Sequence, residues 1–207
     1  MKRRDALKLI AGAATLPALY SSDVLALGRE IHRQMNSTAA LKTLNSHQNA
    51  TVTAIAEMII PATETPGATA ARVNEFIDLM LSDWCTPADC RHFLQGVAET
   101  DARSRRMFAK NFVDCTPQQQ TALLTALDEE LTELREGNGR ARRDESSTQT
   151  GNPMEQNFFY MMKRLTLFGY YTSEVGWTQG LGRPPVHMGP YQACVSLSAE
   201  PGKTNAS

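Results

Sequence analysis

The chain has 207 residues, enough for one sizeable hydrophobic core or at most two small ones. Its 21 Lys and Arg residues nearly balance 22 Asp and Glu residues, which gives a formal net charge of −1. This balance excludes a nucleic-acid-binding protein that works through an overall basic field, because such a protein must neutralise several phosphates. A hydrophobic fraction of 42% likewise excludes a chain that is disordered throughout.

The charges are unevenly distributed at the N-terminus. A basic start, MKRRD, precedes an apolar stretch at residues 6–19 that is interrupted only by Lys8 and is too short to be a stable membrane anchor. We therefore expect residues 1–26 to be an export signal, with cleavage after Ala26. Its removal takes away four basic and two acidic residues and leaves a net charge of −3. The alternative is an amphipathic cytosolic helix that happens to begin with KRR.

The leader has a further feature that indicates an export route. The pair Arg3 and Arg4, followed by Leu7 and Lys8, resembles the twin-arginine translocation motif, although Ala6 stands where Phe is preferred. We therefore expect the twin-arginine translocase to export this chain to the periplasm. Because that route carries folded proteins, the motif also suggests a cofactor or a partner that is assembled in the cytoplasm first.

The rest of the chain predicts an all-α fold, a compact domain of about five helices over residues 27–175. Apolar residues recur at helical spacing over residues 49–60, and Pro61 then ends the pattern. A turn-rich stretch follows, and residues 71–83 again place their apolar side chains on one face. We interpret both apolar stripes as contributions to one core.

Two further helices have clear N-terminal signals. The third begins with Thr86 as its N-cap and Pro87 as its first residue, and the fourth repeats this pattern with Thr116 and Pro117. A near-heptad stripe of leucines runs along the fourth helix, which we expect to end at Gly137.

Residues 137–151 contain no bulky apolar side chain, so we expect a mobile loop there. Asn152 and Pro153 form a good cap and first-turn pair for the fifth helix. That helix is apolar nearly all round, which in a soluble protein indicates burial on several sides. Its apolar residues include Phe158, Phe159, Met161, Met162, Leu165, Leu167 and Phe168.

The C-terminal segment at residues 176–207 is rich in Gly and Pro yet contains large apolar side chains. Such a segment is poorly suited to float freely in water, so it either folds back on the helices or lies along another protein. We predict an extended tail that binds a partner, with Trp177 and Tyr191 as aromatic anchors.

Four cysteines, Cys85, Cys90, Cys115 and Cys194, lie after the leader. In an oxidising periplasm an even number of cysteines suggests disulfides. Cys85 and Cys90 flank a predicted helix start and are close enough to be bridged. Cys194 would then pair either with Cys115 or with a cysteine of a partner subunit, and the sequence leaves both possibilities open.

No pattern in the chain indicates catalysis or a bound cofactor. The run GNGRAR lacks the third glycine and the preceding strand of a dinucleotide-binding turn, and the haem-attachment pattern Cys-x-x-Cys-His is absent. The cysteines and histidines do not have the spacing of a metal site. Glu57 and Asp78, near apolar helix faces, are interpreted as structural hydrogen-bonding groups. We therefore predict no catalytic, cofactor-binding or metal-binding residue.

Several segments in order carry a resemblance to a known family. They are IAEMIIPATETPGATAARVNEFIDLMLSDW at residues 55–84, the Thr-Pro-Ala-Asp helix start, and FFYMMKRLTLFGYYTSEVG at residues 158–176. Together they resemble the gluconate 2-dehydrogenase subunit 3 family over roughly residues 51–175. The turn elements Ile-Pro-Ala and Thr-Pro-Gly and the stretch at residues 166–176 are the specific parts of this resemblance.

The resemblance implies a small, non-catalytic subunit of a periplasmic FAD-dependent sugar or polyol dehydrogenase. In such complexes a large subunit of the glucose-methanol-choline oxidoreductase type holds FAD and removes the hydride. A cytochrome c subunit with haem c often carries the electrons away, and a further subunit can place the complex on the membrane. The small subunit is thought to supply the export signal and to help the large subunit mature, as a chaperone and carrier.

Residues 185–194 resemble the corresponding residues of glycoside 3-dehydrogenase small subunits more than those of gluconate dehydrogenase small subunits. The resemblance gives Trp177, Tyr191 and Cys194 an expected role in holding the large subunit. Two other classes of function remain open from the sequence. They are a free-standing periplasmic helical protein that binds a ligand between its helices, and an electron-transfer subunit, for which no ligand set is visible.

Overall fold

The computed structural model describes residues 22–35, 41–141 and 156–182 of the chain. Its six α-helices are, in chain order, α1 (Ser22–Met35), α2 (Ser46–Ile59), α3 (Val73–Asp83), α4 (Pro87–Phe108), α5 (Pro117–Ala141) and α6 (Phe158–Thr172). A 3-10 turn at Phe112–Asp114 precedes α5, and a π-helical turn at Gly176–Gly180 follows α6. Within the described ranges no strand is present, so the all-α prediction is confirmed.

The central helix is α6, which contacts each of the other five α-helices and the π turn. The prediction that this helix is buried on several sides is confirmed. Its close approach to α3 requires a glycine, because a Cβ at Gly169 would lie 2.8 Å from the Phe76 ring. The buried residues of α6 are Phe159, Tyr160, Met162, Leu165, Thr166, Leu167, Phe168, Gly169 and Tyr170.

The buried apolar side chains form two clusters. The larger cluster joins α2, α3, α4, α5 and α6. The smaller one, which we call the α1 cluster, joins α1 to α3 and α6. The α1 cluster consists of Ile31, Met35, Phe76, Leu79 and Phe168.

Helix α1 is not among the helices predicted from the sequence. Its apolar side chains Leu27, Ile31 and Met35 follow one another at four-residue spacing, which is a helical signal. The predicted cleavage site after Ala26 falls inside this helix, so cleavage there would leave the part of α1 that packs on α3 and α6. The rest of the leader, residues 1–21, lies outside the described residues and remains a prediction.

His32 attaches α1 to the rest of the domain. Its ring stacks on Phe76 with the ring centroids 5.0 Å apart, and Nε2 lies 2.9 Å from the carbonyl oxygen of Gly169. Nε2 also lies 3.2 Å from the Thr172 hydroxyl. Burial lowers the pKa of His32, which favours the neutral ring.

The predicted starts of α2, α3 and α4 differ in how closely they match the structure. The Thr86 cap is confirmed, since its side chain accepts a hydrogen bond from the Asp89 amide at 3.2 Å. By contrast, α2 begins three residues before the predicted Asn49, because Asn45 and Gln48 form a reciprocal capping box. The start of α3 falls at Val73, two residues after the predicted position.

Two predictions around the expected loop are wrong. Helix α5 continues to Ala141 rather than ending at Gly137, because Gly137 is in open space and a glycine in an exposed helix costs only about 1 kcal/mol. Helix α6 begins at Phe158 and is capped by Asn157, whose side chain accepts from the Tyr160 amide at 3.0 Å. Most of the predicted loop and the predicted cap at residues 152–153 lie outside the described residues.

The first part of the predicted tail is not extended. Residues 176–180 form the π turn, which packs on the C-terminal end of α6. Two glycines allow this packing: a Cβ at Gly176 would lie 1.9 Å from the Tyr170 carbonyl oxygen, and one at Gly180 would lie 2.9 Å from the Tyr170 hydroxyl. The chain therefore folds back on its own helices at least as far as Gly180, while residues 183–207 lie outside the described part.

Candidate functional site

Two buried or half-buried carboxylates hold loops in place. Asp78 is only 3% exposed and accepts hydrogen bonds from the amides of Lys42, Thr43 and Leu44 at 2.7, 2.9 and 2.7 Å. Glu57 accepts from two amides of the segment between α2 and α3, each at 2.8 Å. These bonds give both carboxylates the structural role that the sequence indicates.

The closest pair to an acid–base dyad is His47 with Asp101. Nε2 of His47 lies 2.6 Å from Oδ2 of Asp101, which is 4% exposed. The other carboxylate oxygen of Asp101 accepts from the Phe112 amide at 2.9 Å. Because both oxygens of Asp101 are engaged, the pair fixes α2 and the 3-10 turn against α4. No group of three or more potential metal ligands comes together anywhere in the described residues.

The three cysteines that can be located are free thiols. The predicted bridge between Cys85 and Cys90 is not formed in the structure, where both side chains are half-buried against the larger cluster. Burial raises the pKa of Cys85, and the nearby Asp89 and Cys90 raise it further, so the thiolate is disfavoured. Cys115 is 8% exposed, with its Sγ 3.0 Å from the Ser104 hydroxyl. Cys194 lies outside the described residues.

Of the two predicted aromatic anchors, only Trp177 can be located. It lies in the π turn, where its amide donates to the Ser173 carbonyl at 2.9 Å and its side chain is half-buried. Tyr191 lies outside the described residues. Trp177 therefore belongs to the π turn, and the role of Tyr191 as an anchor stays a prediction.

A more exposed aromatic residue, Trp84, is not among the partner-binding residues predicted from the sequence. It continues the apolar spacing of α3, so a pattern alone assigns it to the core, but α3 ends at Asp83 and Trp84 is 47% exposed. The exposed Leu41 precedes Lys42, which forms an ion pair of 2.8 Å with Asp83 at the end of α3.

An open groove of about 950 Å³ lies between the end of α2, the middle of α5 and the first half of α6. We call it the α2–α5–α6 groove. Inside it Lys163 forms an ion pair with Asp128 and lies 4.8 Å from the centroid of the Phe159 ring. Its lining also includes Met58, Ile59, Pro61, Ala62, Thr63, Thr121, Leu124, Thr125, Glu129, Thr132, Glu133 and Leu167.

The rim of the groove is acidic on the side of α5. Glu129 and Glu133 stand one helical turn apart, and among the described residues neither forms an ion pair. The nearby Asp128 is neutralised by Lys163. The groove therefore combines a largely apolar floor with two uncompensated negative charges.

No helix in the described ranges is both long enough and apolar enough to cross a membrane. The sequence profile of the family described as Gluconate 2-dehydrogenase subunit 3 matches residues 46–189. That match takes in α2 to α6, the π turn and the residues that line the groove. Comparison with curated proteins and with solved structures gives no match.

Proposed function

The chain belongs to the gluconate 2-dehydrogenase subunit 3 family, a family of dehydrogenase-complex subunits, and on that premise we propose that it is the non-catalytic small subunit of a periplasmic FAD-dependent sugar or glycoside dehydrogenase. The observation that carries the proposal is the family match over residues 46–189. In this proposal the partner is a large subunit of the glucose-methanol-choline oxidoreductase type, which binds FAD. A cytochrome c subunit would accept the electrons, and a further subunit would link the complex to the membrane.

The role that we propose for this chain is to carry its partner through export. The leader, with Arg3 and Arg4, would direct both subunits to the twin-arginine translocase. The carrier must keep hold of the partner until export is complete, because early release would leave the enzyme in the cytoplasm. A lasting interface of this kind buries about 1,600 Å² in total.

Exposed apolar side chains on the described surface support such a contact. Trp84 and Leu181 are each 47% exposed, and Leu41 is 36% exposed. Large aromatic residues of this kind are typical anchors of protein interfaces. Beyond the described residues, we propose Tyr191 as a further anchor and Cys194 as a candidate for a bridge to the partner or to Cys115.

The experiment that tests the proposal is co-expression with a candidate flavoprotein of this class that lacks its own signal peptide. We expect the flavoprotein to reach the periplasm only when this chain is present. Changing both Arg3 and Arg4 to Lys should retain both proteins in the cytoplasm. The matched control changes Arg105 and Arg106, which are exposed on α4, to Lys and should leave export intact. Export of active flavoprotein without this chain would refute the carrier role.

The α2–α5–α6 groove favours a second candidate function, a free-standing ligand-binding protein. Its volume of about 950 Å³ lies within the range of small-molecule pockets. This alternative expects the chain to be a stable monomer that does not co-purify with any flavoprotein. A stoichiometric complex with the flavoprotein in the same co-expression experiment would decide against it.

A further inference from the structure

We propose that the α2–α5–α6 groove is the docking site of residues 183–190 of the same chain. This inference goes beyond the proposed function and does not depend on it. It assigns an occupant to a large apolar groove, and three observations support it: the place where the described chain ends, the length of chain that follows, and the match of chemistry between segment and groove.

The described chain ends beside the groove. Gly180 packs against the Tyr170 ring, and the Tyr170 hydroxyl donates to the carbonyl oxygen of Pro66 at 2.7 Å. Pro66 lies near the lining, because a Cβ at the adjacent Gly67 would be 2.6 Å from the amide nitrogen of Ala62, which lines the groove. Leu167, another lining residue, precedes Tyr170 by three residues on α6. The residues that follow Gly182 therefore start next to one end of the groove.

The length of the following segment is sufficient. The α6 wall of the groove runs from Phe159 to Leu167, which is about 12 Å at the rise of an α-helix. Eight residues, 183–190, span up to about 26 Å when extended. A further 17 residues, 191–207, remain beyond them. The segment can therefore cover the length of the groove with reach to spare.

The chemistry of the segment matches that of the groove. Residues 183–190 read RPPVHMGP, an arginine followed by apolar side chains with one histidine among them. The apolar side chains suit the floor formed by residues such as Leu124 and Phe159. Glu129 and Glu133 repel one another at i,i+4 spacing, and a cation between them relieves that repulsion. Arg183 can supply this cation.

The family match adds a separate observation. It extends to residue 189 and so includes most of the proposed segment together with the whole lining of the groove. Residues 191–207, which include Tyr191 and Cys194, lie beyond it. Docking of residues 183–190 would fill the groove from within the chain and leave these last residues available to the partner.

The test is photo-cross-linking within the full chain. Val186→p-benzoylphenylalanine places a cross-linker in the middle of the segment, and Thr204→p-benzoylphenylalanine serves as the matched control near the C-terminus. After irradiation of the purified chain, mass spectrometry should locate intramolecular cross-links from position 186 on residues 58–63, 121–133 or 159–167. The control position should give none there.

Charge reversal tests the same contact independently. Glu129→Lys together with Glu133→Lys should lower the cross-link yield about fivefold, and Arg183→Glu in that background should restore it. Glu99→Lys, an exposed change on α4, should have no effect. Cross-links from position 186 only to a second copy, or to no groove residue, would overturn the proposal. None of these outcomes alters the export assay, so the two proposals can fail separately.

Discussion

The carboxylate of Asp78 offers the sharpest test of how this domain is held together. Three amides converge on it: Oδ1 accepts from Thr43 and Leu44, and Oδ2 accepts from Lys42. A hydrogen bond to a charged group contributes about 1.5–3 kcal/mol to stability. The Lys42 and Thr43 amides are only partly buried, so water can replace some of the hydrogen bonding that they lose when the carboxylate is removed. We expect Asp78→Ala to lower the free energy of unfolding by about 3–5 kcal/mol.

The conservative replacement should have an intermediate effect. In Asp78→Asn the amide oxygen can still accept from two amides, but the amide nitrogen then faces a third donor. We expect a loss of about 1.5–3 kcal/mol. Urea unfolding followed by far-ultraviolet circular dichroism measures both changes, and Asp78→Ala should also lower the melting temperature by roughly 10 °C.

The matched control is Asp83→Ala on the same helix. Asp83 pairs with the side chain of Lys42, so it contacts the same loop, but the pair is exposed and should contribute less than about 1 kcal/mol. If Asp78→Ala destabilises the protein no more than Asp83→Ala does, the view that one buried carboxylate holds residues 42–44 is refuted.

Two further predictions concern glycines and a histidine. Gly169→Ala should lower the free energy of unfolding by about 1–3 kcal/mol, because the added methyl group meets Phe76. Gly137→Ala should raise the free energy of unfolding by about 1 kcal/mol, and a decrease in this variant would contradict the length of α5. Because burial lowers the pKa of His32, the unfolded chain binds this proton more readily, and stability should fall as the pH drops below 6.5. Denaturant titrations at about pH 7 and about pH 5 should show a smaller fall for His32→Gln, and an equal fall would refute this assignment.

Local signals in the sequence were sufficient for the core elements of the fold. The Thr86 cap with Pro87, and the apolar stripes of α2 and α3, predict helices that the structure contains. Errors arise where a single local signal for a helix end has no other signal to support it. Gly137 is a reasonable helix end by itself, yet the helix continues past it because nothing else terminates the hydrogen-bonding pattern there.

Features that depend on tertiary packing were beyond sequence reasoning. The π turn forms because Gly176 and Gly180 fit against Tyr170, a contact that no local pattern specifies. The groove likewise depends on how α5 lies relative to α2, far away in the sequence. Trp84 continues the spacing of the buried Ile77 and Leu81, yet it is the C-cap residue of α3 and is 47% exposed.

The separate α1 cluster has a consequence for the order of folding. Phe76 of α3 and Phe168 of α6, which both contact α1, are 92 residues apart in the chain. Because α1 packs on both helices, it docks fully only once α3 and α6 have come together. Residues 22–26 of the predicted leader belong to α1, so in a chain exported in the folded state, as we propose, the docked position of α1 requires that the helices behind the leader have folded.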